Sequence, residues 1–102
     1  MKFLIKIQSD SELINYEAIS LGLTLASFDH QVQFYFSGLS HVILNDSRSR
    51  TYGMVQSLSL YDIKQPWISF DKHIILNTTI DDMMLHLDDP PKMMDFDGIL
   101  EF

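Results

Sequence analysis

The 102-residue chain contains no cysteine. That absence excludes disulfides, thiolate metal sites and any sulfur carried covalently on a thiol. Bases are few, seven Lys and Arg against fourteen Asp and Glu. A formal charge of −7 repels phosphate backbones. Arg48, Arg50 and Lys64 make only a thin basic patch, so direct binding of nucleic acid is not expected. No apolar run approaches the length of a membrane span and the start resembles no export signal, so no membrane association is expected and the cytoplasm is the expected compartment. Glycine is scarce too, with four residues. After the first apolar run, where a phosphate-binding loop would place glycines, the chain reads Gln8-Ser9-Asp10-Ser11. Flavin mononucleotide, dinucleotides and nucleoside triphosphates are thereby disfavoured, and no cofactor is expected. A phospho-acceptor site of the response-regulator kind would need an acidic cluster there, and Asp10 stands nearly alone.

What is present is a strongly apolar chain, 46% hydrophobic with seven Phe, four Tyr and one Trp. That content and length suit one domain with a real core but a poor surface-to-volume ratio, which favours association. The charge is uneven. Residues 1–70 carry a net −1, whereas residues 71–102 carry a net −6.

The order of elements reads as α/β. Lys2–Ile7 is a mostly apolar run of strand length, as in a strand buried on both faces. Ser9 and Glu12 have capping-box spacing. Beyond them Ile14, Ala18, Leu21, Leu25 and Phe28 recur at helical intervals, predicting a helix over 13–28 whose Gly22 permits close approach to a sheet. Gln31–Phe36 is a second strand, parallel to the first through a right-handed crossover. Leu39–Asp46 is ambiguous and compatible with a short helix, and Asn45–Arg50 is loop-like. Thr51–Leu60 predicts a helix carrying Tyr52, Val55 and Leu58 or Ser59 inward. Pro66 opens a third strand, Trp67–Phe70. His73–Asn77 is a candidate fourth strand, Asp81–Leu87 a candidate helix with acids at its N-terminus, and Gly98–Phe102 a terminal strand.

Few residues suggest chemistry. His86 stands i, i+4 from Asp82 and i, i+3 from Asp89, a metal-ligand spacing that a solvated helix face explains as well. Ser47, Ser49 and Thr51 have no histidine and acid arrayed to activate them. No catalytic residue and no metal ligand is assigned, and the chain is not expected to be an enzyme. Of the paired methionines, Met83-Met84 suits core filling, while Met93-Met94 suits either core or an adaptable partner-facing surface.

The segment Leu58-Ser59-Leu60-Tyr61-Asp62-Ile63-Lys64-Gln65-Pro66-Trp67-Ile68-Ser69-Phe70 is the most particular in the chain. It resembles the TusC/DsrF branch of the DsrE-like sulfur-relay proteins, in which a Leu-Tyr-Asp-Ile-x-Gln-x-Trp-type segment follows the third helix. The ending Asp95–Phe102 is similar to that branch's Asp-x-Ile-Leu-x-Phe-type strand, and Phe34-Tyr35-Phe36-Ser37-Gly38 falls in register with its second strand. The resemblance implies a flavodoxin-like three-layer sandwich with a mostly parallel sheet of about five strands. It further implies a non-catalytic subunit that joins TusB- and TusD-like (DsrH- and DsrE-like) subunits in a hetero-oligomer. There a partner's cysteine persulfide passes sulfur toward 2-thiolation of a tRNA wobble uridine, or serves sulfur oxidation. Tyr61, Asp62, Gln65 and Trp67, together with the Asn45–Arg50 loop, are the expected partner contacts. Turn capping by Asp62 and helix anchoring by Tyr61 are the structural alternative. Where some relatives carry cysteine beside the Trp, this chain has Pro66 and Ser69 flanking Trp67 and Ile68, so no persulfide forms on it. The segment after Phe70 is short for the family, compressing its fourth strand and last helix. A different class of function, a homo-oligomer holding a small ligand between subunits, fits the same fold.

Overall fold

A computed structural model describes residues 1–102. Five strands form one all-parallel sheet: β1 (Lys2–Ile7), β2 (Gln31–Ser37), β3 (Trp67–Ser69), β4 (Leu85–His86) and β5 (Gly98–Glu101), in the spatial order β4-β3-β2-β1-β5. Four α-helices join them: α1 (Glu12–Ser27), α2 (His41–Leu44), α3 (Arg50–Ser57) and α4 (Thr78–Asp81). The pattern of elements predicts this α/β class, and the five-stranded all-parallel sheet is consistent with the flavodoxin-like sandwich that the resemblance implies, with strand order 4-3-2-1-5 in place of 2-1-3-4-5.

Strand register sorts the sheet's side chains into two faces. One face carries Ile5 opposite Phe34 and Leu100, then Ile7 opposite Phe36, which is opposite Ile68. All of these but Leu100, which packs against the cluster from its rim, join Ala18 and Ile19 of α1, Leu44, Val55 of α3, Leu58 and Ile80 of α4 in a fourteen-residue core. A Cβ on Gly22 would overlap Phe34 Cζ and lie 3.0 Å from Ile5 Cδ1, so only glycine lets α1 sit this close to the sheet. The steps β1→β2→β3→β4 all move the same way across the sheet, and a constant crossover hand places every α-helix on this one face.

The opposite face carries Leu4 beside Gln33 and Ile99, and a row Leu85–Trp67–Tyr35–Lys6–Glu101 that crosses all five strands. The chain returns over it from β4 to β5 through residues 87–97, whose only regular structure is a 3₁₀ turn, Met93–Asp95. The ring of Phe96 stands edge-on to Trp67 at 6.1 Å and lies under Lys2 Nζ at 5.0 Å. Leu4 and Tyr35 are buried although neither belongs to the main core cluster. The third layer is thus an extended strap rather than a helix, and β4 is two residues long.

Several expectations are corrected. Ser11, not Ser9, caps α1: its Oγ accepts from Ile14 N at 3.3 Å, while Ser9 Oγ accepts from Ser11 N. The buried stripe of α1 is Asn15, Ala18, Ile19 and Gly22, and Phe28 is 71% exposed. A polar residue sits in that stripe because Asn15 Nδ2 donates to Ser9 O and Ser11 O, at 2.7 and 2.8 Å, and fastens the turn ahead of the helix. His73–Asn77 is not a strand. Asn77 instead caps α4, its Oδ1 accepting from Thr79 N at 2.9 Å. Asp81–Leu87 is not a helix, since α4 ends at Asp81 and Leu85–His86 pairs with β3. In that pairing Leu85 N and Leu87 N donate to Pro66 O and Ile68 O, each at 2.9 Å, which an isolated helical turn cannot match. Of the methionines, Met84 is buried in the core, whereas Met94 is 89% exposed.

Candidate functional site

The Tyr61–Gln65 link is shaped by two buried anchors. After α3 the chain tightens into a 3₁₀ turn, Leu58–Tyr61, and Asp62 turns left-handed at φ 58°. This reversal lets Ile63 N reach back to Leu58 O, while Leu58 and Ile63 both enter the core. Tyr61 and Asp62 are left facing solvent, with no side-chain hydrogen bond from either. Asp62 therefore ends the turn through its backbone, and Leu58 rather than Tyr61 anchors the helix end. Gln65 is exposed as well. Its carbonyl accepts from Gln33 Nε2 at 2.9 Å, and the same amide donates to Phe34 O at 3.0 Å. Gln33 thereby ties the link to β2.

Tyr61, Asp62, Gln65 and Trp67 line one open cavity of about 760 Å³. It lies at the N-terminal ends of the strands, where Lys2, Gln31 and Gln33 supply the sheet wall and Leu85 closes the far side. Its charges are balanced, with Lys2 and Lys64 facing Asp29 and Asp62. Both aspartates have left-handed backbones, Asp29 at φ 65°. Asp97 braces the rim by accepting from Lys2 N through Oδ2 at 2.7 Å and donating its own N–H to Lys2 O at 2.8 Å. Lys2, Asp29, Gln31 and Gln33 were not singled out from the sequence. The alternation Gln31-Val32-Gln33 was the available signal, since it marks one face of β2 as polar at its start.

No protein-family model matches the chain, and no curated protein matches its sequence.

The Asn45–Arg50 loop lies at the other end of the sheet, separated from the link by the length of α3. Asn45, Ser49 and Arg50 serve the fold, while the Ser47 and Arg48 side chains are exposed. Asn45 Nδ2 donates to Ile75 O at 3.0 Å and its Oδ1 accepts from Asn77 N at 2.7 Å. Ser49 caps α3, with its Oγ accepting from Tyr52 N at 3.1 Å. The Arg50 guanidinium packs 4.0 Å from the Tyr16 ring centre and bonds Glu12. Loop and link do not form one surface.

At the C-terminal ends of the strands, where ligands bind in doubly wound sheets, a shallow depression of about 360 Å³ lies between β1 and β5, lined by Gln8, Ser9, Glu101 and Phe102, while the β2 side is covered. Gly38, at φ 59°, brings the turn after β2 against Gln8, and Leu39 N donates to Gln8 O at 2.9 Å. The ring of Phe70 stands edge-on to His41 nearby. His86 pairs with neither Asp82 nor Asp89. It sits in β4 and its Nε2 meets Asp81 Oδ1 at 2.8 Å. No three His, Asp or Glu side chains gather as metal ligands would, and no helix is long and apolar enough to cross a membrane.

Proposed function

We propose that this chain is a non-catalytic subunit of a sulfur-relay complex of the TusBCD/DsrEFH kind, supporting persulfide transfer by a cysteine-bearing partner toward tRNA wobble-uridine 2-thiolation. One observation carries the reading. Tyr61, Asp62, Gln65 and Trp67, the residues in which the chain resembles that family, line a single cavity with Tyr61 and Asp62 free of side-chain bonds. Leu60 beside them is 83% exposed. Aromatic and polar side chains that the fold leaves unused at the mouth of a concavity suit a protein partner. Because the chain has no cysteine, sulfur carriage in this reading falls to the partner, and the chain's proposed role is to hold that partner in place.

The size of the cavity favours a second reading, a homo-oligomeric protein that binds a small ligand. About 760 Å³ lies within the range of small-molecule sites. The native mass of the purified chain, alone and after co-expression with the TusB- and TusD-like proteins of its source, separates the two. A mixed trimer or hexamer that Tyr61→Ala weakens is expected. A stable assembly of this chain alone, indifferent to those proteins, would overturn the subunit reading.

A further inference from the structure

The two edges of the sheet differ in what they offer another chain. The β4 edge is two residues long, His86 on it is held by Asp81, and Asp88-Asp89-Pro90-Pro91 follows almost at once. Charge and proline in these places discourage strand addition. The β5 edge, Gly98-Ile99-Leu100-Glu101, carries one charge, Glu101, but no proline, and β1 is its only strand neighbour.

Hydrogen bonds fix which way the backbone of β5 points. Phe102 N donates to Lys6 O and Phe102 O accepts from Gln8 N, both at 2.8 Å. With Lys6 opposite Glu101 in the register, alternation turns the N–H and C=O of Gly98 and Leu100 toward β1 as well. Those of Ile99 and Glu101 therefore point outward, where no partner strand exists. Side chains alternate on the other axis: Leu100 and Phe102 pack toward the helical core, while Ile99 is 37% exposed on the strap face.

We infer that β5 pairs antiparallel with β5 of a second copy of this chain, about a two-fold axis through Leu100, joining two sheets into one. Charge selects the register. An axis through Ile99 would set Asp97 directly opposite Glu101 of the other copy, and an axis through Glu101 would set the two Glu101 carboxylates against each other. Like charges so placed are destabilising. The axis through Leu100 avoids both. It places Ile99 opposite Glu101 of the second copy, so that the outward N–H and C=O groups of these two residues satisfy one another. Leu100 then meets its own copy as a close, non-hydrogen-bonded pair on the core side. Phe102 comes to stand opposite Gly98, whose Cα already lies under the Phe3 ring of its own chain. A pairing this short buries too little surface for tight binding, so the dimer belongs to the weak class. The dimer is weak and concentration-dependent, which separates it from the stable self-assembly that would overturn the sulfur-relay reading.

The test is sedimentation of the chain over rising concentration, with Ile99→Pro and Ile99→Lys in parallel. Proline at 99 removes an N–H that β1 does not use, and lysine is an ordinary edge guard. The lysine variant keeps the test valid if the proline variant folds poorly. A mass rising from one chain toward two is expected, with dimerisation weakened at least about tenfold in either variant. Because the chain lacks cysteine, single substitutions read the register directly. Under mild oxidation Leu100→Cys should cross-link two copies, since a non-hydrogen-bonded pair sits about 4.5 Å apart at Cα. Ile99→Cys should not, as its copies stand on a diagonal of about 7–8 Å. A chain that stays monomeric throughout, a dimer untouched by the Ile99 changes, or faster cross-linking through Ile99→Cys would each overturn the proposal.

Discussion

The two faces of the sheet are built to different ends. On the helical face, branched and aromatic side chains meet α1, α3 and α4 with no polar atom between Ile5, Phe34 and Gly22. On the strap face the same strands present Lys6, Gln33, Tyr35 and Trp67, covered by a segment with a single 3₁₀ turn. Close packing against rigid helices makes the first face the seat of stability. The second holds together through edge-on rings, a cation over Tyr35 at 6.0 Å and an amide shared between β2 and the link. Such contacts are individually small, so this face is expected to yield at lower cost than the helical one.

The sharpest way to break the comparison is to truncate one aromatic on each face. Phe34→Ala should cost about 3–5 kcal/mol, since a fully buried ring leaves a cavity that α1 cannot collapse into. Trp67→Ala should cost about 1–2.5 kcal/mol, because the indole is half-buried and Phe96 can shift toward the space. Urea unfolding of the two variants checks the order, and equal losses would remove the distinction between the faces. Next in size is Asn45→Ala, expected to cost about 1–2 kcal/mol by releasing Ile75 O and Asn77 N together. Its loss should appear as faster amide exchange in residues 74–80 while β1 and β2 stay protected. Smallest is Asp62→Gly. Glycine relieves a left-handed backbone, so stability should change little or rise by up to about 1 kcal/mol. If the carboxylate contacts a partner, the same variant should lose association while keeping its stability, and thermal melting beside native mass measures both.

What was legible in the sequence follows from this division. β1, β2, β3 and β5 stand where the apolar runs put them, because strands buried among their neighbours write themselves as continuous hydrophobic residues. Tyr61, Asp62 and Gln65 of the link and Trp67 of β3 lie together on one cavity. The segment 73–87 was misread for physical reasons. Ile74-Ile75-Leu76 has the composition of a strand, yet Ile75 is 85% exposed and the run only leads into the Asn77 cap. β4 is too short to show alternation, and its existence depends on carbonyls of Pro66 and Ile68 distant in sequence. The inward stripe of α1 was misplaced because Asn15 occupies a core position, and a buried amide bonded to the preceding turn looks polar to any periodicity. Lys2 and Asp29 escaped notice at the cavity because a rim assembled from different strand ends has no local signature.

One feature of the topology bears on how the chain folds. β1 through β4 are laid down in order, each beside the strand before it, but β5 pairs with β1 across a sequence separation of about 95 residues. Closing so long a loop costs entropy that only a nearly complete sheet can offset. The last strand is therefore expected to add late, after the other four have a surface to receive it. Until it does, one side of β1 stays open, with Leu4 unshielded by the strap. A ribosome-bound or freshly released chain would carry that open edge through the slowest step of folding, the interval in which strands of neighbouring molecules compete for it.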